Sequence, residues 1–166
     1  MKRNFDEMPD DARLWVFAAP DALDERQEGW LREHVGEFVE GWVAHGAPVA
    51  GAFDLVDDRF LLVAADERAT GVSGCSIDAL TRTLKQAERE LGVSLLDAAS
   101  RVWYRDPSGE VRAAPRAEFR ERVRAGEVAG DTPVFDNTAP TVGAVRRGEW
   151  ERPMRESWHG KAFGPG

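Results

Sequence analysis

Apolar and polar positions alternate along this chain in two distinct periods, and the period decides each element. Leu14-Trp15-Val16-Phe17-Ala18 is a short continuous apolar run, ended by Pro20. A run of that length with aromatic and β-branched residues predicts a strand covered on both faces. Leu31, Val35, Phe38, Trp42 and His45 then recur every three or four residues. That spacing predicts a long amphipathic helix, with Asp21 as its N-cap and Gly46 and Pro48 as its stop. Val49 to Val56 and Arg59 to Ala65 read as two strands joined at Asp57-Asp58, a dipeptide suited to a tight hairpin turn. Phe60 to Ala64 is the most apolar run of all, which places this strand centrally.

A second helical period follows through Ile77, Leu80, Leu84, Ala87 and Leu91, closed by Gly92. Val102-Trp103-Tyr104 predicts a strand, Pro107-Ser108-Gly109 a turn, and Val111 to Ala113 a return strand. Pro115 to Ala125 reads as a short charged helix and Thr132 to Phe135 as a last strand. The first six elements thus run β-α-β-β-α-β. That order predicts an α+β, ferredoxin-like sandwich, two helices on one face of an antiparallel sheet, with a C-terminal hairpin and helix as extension. A parallel α/β arrangement is the alternative. One domain over 13–137 is expected, followed by an extended tail, 138–166, that docks Trp150, Met154, Trp158 and Phe163 on the body. Residues 1 to 12 are expected to be loosely held.

Charge narrows the partners. A net charge of −8 repels phosphate backbones and anionic membranes, so neither nucleic acid nor a membrane is expected. No apolar run approaches the roughly 20 residues of a membrane span, and no secretory signal opens the chain. One cysteine among 166 residues forms no internal disulfide, which points to a reducing, cytoplasmic setting. The tail arginines Arg146, Arg147, Arg152 and Arg155 read first as internal charge balance and second as a surface for an acidic partner or for self-association.

The candidate chemistry lies at Ser73-Gly74-Cys75-Ser76-Ile77-Asp78, where a glycine-bearing loop enters the second helix. Helix N-termini present unpaired amide donors and positive potential, which favour a thiolate or a bound anion. Cys75 is therefore the candidate nucleophile, with His159 or His45 as base. Gly74, Ser76, Ile77 and Asp78 are the candidate anion cradle. His34, inside the first helix, reads as a packing residue. Two other readings stay open: Ser76 as a plain N-cap with Cys75 buried and structural, or a non-catalytic module that binds a small anion or a protein. One cysteine and three scattered histidines make no zinc site by spacing, and no dinucleotide or P-loop fingerprint is present, so neither metal nor cofactor is expected.

Several stretches together resemble a known group. They are Trp42-x-x-His45-Gly46, the strand Arg59 to Glu67, Ser73 to Asp78, Asp131 to Asn137 and Ser157-Trp158-His159. In combination they look like a group of small uncharacterised bacterial proteins whose members are often labelled "ABC transporter ATPase". The resemblance spans Leu14 to His159. It implies a family and no activity, because the nucleotide-binding motifs that such an ATPase requires are missing here.

Overall fold

The computed structural model describes residues 1–164. Its elements run β1 (Arg13–Ala18), α1 (Glu25–Glu40), β2 (Val43–Ala44), β3 (Ala47–Pro48), β4 (Ala50–Val56), β5 (Phe60–Asp66), α2 (Gly74–Leu91), β6 (Arg101–Arg105), β7 (Val111–Pro115), α3 (Arg116–Arg124), β8 (Pro133–Phe135), α4 (Val142–Arg146), β9 (Glu151–Pro153) and α5 (Trp158–Phe163). The class is α+β with antiparallel sheets. One sheet has the order β1-β5-β4, a second the order β7-β6-β8-β9, and β2-β3 is a separate small hairpin.

The apolar run in β5 explains the layering. Successive side chains on a strand point to opposite faces. Leu61, Val63 and Ala65 face α1 and α2, where they meet Leu31, Val35, Leu80 and Leu84. Phe60, Leu62 and Ala64 face the second sheet, where they meet Trp103, Phe135 and Trp150. β6 repeats the device: Trp103 faces the first sheet, while Val102 and Tyr104 face Phe119 of α3 and Phe163 of α5. The order of layers is therefore helix, sheet, sheet, helix. Each fully buried large side chain in these three cores contributes roughly 1.5–3 kcal/mol.

Several expectations are corrected. β6, which the sequence places as the fourth strand of one sheet, pairs with β7 and β8 in the second sheet. Val102, Trp103 and Tyr104 are all buried, so β6 needs cover on both faces, and the Trp103 indole donates to the Ala19 carbonyl at 2.9 Å across the sheet interface. The edge of β1 is met instead by an Arg13–Thr141 bridge. The segment from 138 is not an extended arm. It forms α4, β9 and α5, and it buries Trp150, Met154 and Phe163 in two different cores. Gly160 permits this path, since a Cβ there would lie 2.7 Å from the Met154 carbonyl oxygen.

The N-terminal residues are held too. Met8 and Ala12 are buried, and Lys2 bridges Gly51 beside β4. α1 begins at Glu25, because Asp24 and Gln27 form a reciprocal capping box that a lone Asp21 cannot match. It also ends before Trp42. His45 (φ 53°) and Gly46 (φ 75°) form the turn between β2 and β3, where two positive φ angles match the twist of a two-residue hairpin. The Asp57-Asp58 turn is where the sequence places it, with both residues at φ 55°.

Candidate functional site

Cys75 is exposed in the first turn of α2. Ser73, not Ser76, caps this helix. The Ser73 hydroxyl accepts from the Ser76 amide at 3.2 Å, and the Ser76 hydroxyl accepts from the Ser73 amide at 2.7 Å while donating to the Ser73 carbonyl at 2.8 Å. The Ile77 amide donates to that same carbonyl at 3.0 Å. The donors of Ser76 and Ile77, expected to cradle an anion, are thus engaged within the helix itself. Ser76 is buried, and its carbonyl accepts from the Trp42 indole at 3.0 Å. Asp78 is exposed, and Gly74 has open space at its α-carbon.

The three histidines fall in separate places. His159 lies in α5, in the outer layer opposite α2, so both sheets stand between it and Cys75. Sheets packed face to face sit about 10 Å apart, and a helix layer lies beyond each. The His159 ring is only 2% exposed, hydrogen-bonds the Ser157 hydroxyl through Nδ1 at 2.7 Å, and stacks on Trp158. Burial pushes its pKa down to about 4, against the upward pull of Asp136 and with smaller downward pushes from Arg116 and Arg152. His45 is exposed at the β2–β3 turn, on the same side of the first sheet as α2, and no hydrogen bond joins it to Cys75 among the described residues. His34 stacks on Trp30 and hydrogen-bonds its carbonyl, as a packing residue would. Arg146 and Arg147 pair with Asp10 and Glu149, as internal charge balance requires.

The charged side chains that do converge are elsewhere. The β4–β5 turn, the β6–β7 turn and the loop after β1 enclose a cleft of about 360 Å³. Arg59 and Arg105 line it, with Asp57, Asp58 and Glu110. Arg105 is fully engaged: it donates to Glu151 at 2.9 and 2.8 Å, to Asp57 at 2.8 Å and to the Gly109 carbonyl at 2.9 Å. Those carboxylates raise its pKa. Arg112, just outside, donates to Asp106 at 2.8 Å.

Arg59 differs from both. It is half-buried and donates to the Pro20 carbonyl, yet among the described residues no carboxylate lies within ion-pair distance of it. Burial lowers its pKa, with Asp21 pulling the other way and Arg112 adding to the lowering. A partly desolvated guanidinium keeps strong donors that only an anion satisfies well. Sequence reasoning passed over it. The signal was an arginine placed directly between an acidic turn and the most apolar strand, where its stem has to run alongside buried surface.

No family model matches the chain, and neither a curated protein nor a solved structure matches it. Among the described residues, no helix is long and apolar enough to cross a membrane.

Proposed function

We propose that this chain is a non-catalytic binding module for a small anionic ligand, held in the cleft between the two sheet turns by Arg59. The observation that carries the reading is the contrast among the three neighbouring arginines. Arg105 and Arg112 spend their donors on carboxylates of the chain, whereas Arg59 has a backbone partner only. A fork-shaped donor of this kind suits a carboxylate or a phosphate. In this reading the setting is cytoplasmic, where the exposed Cys75 thiol stays reduced. In this reading the first sheet with α1 and α2 keeps the β-α-β-β-α order of a ferredoxin-like unit, and β6 belongs to the second sheet.

The test is a thermal-shift and calorimetric titration of the full chain with carboxylate-bearing probes and phosphate, repeated on Arg59→Gln. Binding that disappears in the variant supports the reading. Binding unchanged in Arg59→Gln, or no response to any such probe, overturns it.

The exposure of Cys75 favours a second reading, thiol chemistry at the start of α2. Its test is alkylation of the native protein across pH. A reactive site alkylates faster at neutral pH than a free thiol does, and an ordinary profile removes this reading.

A further inference from the structure

We infer that the ligand of the Arg59 cleft carries an ammonium group as well as a carboxylate, the chemistry of a free amino acid. The inference rests on Arg59 as the carboxylate site and adds the opposite wall. A pocket built for a simple anion gathers positive charge around it. This one sets three carboxylates, Asp57, Asp58 and Glu110, beside Arg59 and the already engaged Arg105. Asp57 is answered by Arg105 at 2.8 Å, and Glu110 by Arg112 at 3.3 Å. Asp58 has no cation within ion-pair distance among the described residues. It is exposed at the lip of the cleft; burial, and next the nearby Asp58 carboxylate, hold the Glu28 carboxyl of α1 above its usual range.

A monoanion entering the cleft gains from Arg59 and loses to Asp58, which has no ion-pair partner there among the described residues. An amino acid gains on both walls, its carboxylate on Arg59 and its ammonium on Asp58. The volume fits as well: about 360 Å³ is at the small end of ligand sites, which span roughly 300–1,000 Å³. The Asp57-Asp58 backbone adds a further sign. Both residues hold φ 55°, a conformation that Asn-Gly adopts more easily. Strained residues of this kind gather at ligand clamps.

The experiment titrates the full chain by calorimetry with the common L-amino acids, acetate and methylammonium. At least one amino acid is expected to bind roughly tenfold or more tightly than acetate or methylammonium. Arg59→Gln is expected to abolish amino-acid and acetate binding alike. Asp58→Asn is expected to weaken the amino acid and to leave acetate unchanged or tighter. Acetate binding as well as every amino acid, or amino-acid affinity unchanged in Asp58→Asn, overturns the zwitterion inference and leaves the Arg59 reading standing. If no carboxylate probe binds, the zwitterion inference falls; if phosphate does not bind either, or Arg59→Gln changes nothing, both fall. Should Arg59→Gln fail to fold by circular dichroism, Arg59→Lys replaces it. Lysine keeps the charge and loses the fork, so weakened binding is expected there, and unchanged binding counts against both.

Discussion

The two sheets reach similar burial from unequal strands. In the first, β4 and β5 have seven residues each and β1 six, zipped in unbroken register on both sides of β5. In the second, β8 and β9 have three residues each, and β6 meets β8 through the single pair Tyr104–Val134. Backbone ladders organise the first sheet and the β6–β7 pair of the second, whereas β8 and β9 depend more on side chains. Phe60 of β5 lies 4.6 Å from the Phe135 ring and 5.0 Å from that of Trp150, so the first sheet supplies the floor on which the short strands assemble. The lesson is one of dependence: the second sheet leans on the first through a few aromatic contacts.

The sharpest way to break that dependence is Phe60→Ala. A fully buried phenylalanine truncated to alanine costs about 3–5 kcal/mol. Urea unfolding should show one transition at a lower midpoint. Two separated transitions would mean that the sheets fold independently, and the comparison would fail.

The outer layer of the second sheet should also be the acid-sensitive one. The pKa of His159 is about 4 in the folded chain against an ordinary 6.5. Between those values the unfolded chain binds more protons than the folded one, so stability rises with pH across that window. It is fully present above about pH 6.5, falls as the pH drops, and levels off below about 4; the loss is on the order of 3 kcal/mol. Asp136, Arg116 and Arg152 are the charged groups acting on the ring. His159→Gln should flatten the difference between urea midpoints at pH 7 and pH 4.5, and an unchanged slope would place the acid sensitivity elsewhere.

A smaller effect is expected at the entry to α2, on the far side of the first sheet. Ser73→Ala removes half of a capping box and should cost about 1 kcal/mol. Because the Ser76 hydroxyl is the other half, accepting from the Ser73 amide and donating to the Ser73 carbonyl, Ser76→Ala is expected to cost a similar amount. Equal and additive losses would show two independent contacts. Strong non-additivity in the double variant is the expected result for a reciprocal pair.

The same inequality between the sheets explains what could be read in advance. The run Phe60 to Ala64 is long enough to announce a strand covered on both faces, and the Asp57-Asp58 turn and the periodicity of α2 are equally local. What covers the far face of β5 is not local. Trp103, Phe135 and Trp150 come from three separate segments, and β8 and β9 are too short to show a period of their own. For the candidate site the balance tips further. Cys75 draws attention because it is the only cysteine, and its place near a helix start was legible. Arg59 looks like any solvated charge at the end of a turn. Its isolation arises only when the loop after β1 and the β6–β7 turn fold down beside it, while Arg105 and Arg112 take up the nearby carboxylates.

The two turns that form the lips of the cleft offer the finest comparison. The β6–β7 turn is relaxed: Gly109 supplies the positive φ of 88°, and the Asp106 carboxylate accepts from the Ser108 and Glu110 amides at 2.9 and 3.1 Å. The Ser108 hydroxyl, then Arg112, holds the Asp106 pKa down to about 2. The β4–β5 turn gives its positive φ angles to two aspartates instead. Glycine carries no Cβ penalty in this region, so Asp58→Gly should stabilise the chain by about 0.5–1 kcal/mol, and Gly109→Ala should destabilise it by a similar amount. Opposite signs in thermal unfolding would show that strain is confined to the lip bearing Asp58. If Asp58→Gly also loses affinity for amino acids while gaining stability, the strained aspartate is kept for its carboxylate, and the exchange of stability for function is local to one residue. A loss of stability in Asp58→Gly would show instead that the carboxylate holds the turn against α1, and the strain argument would fail.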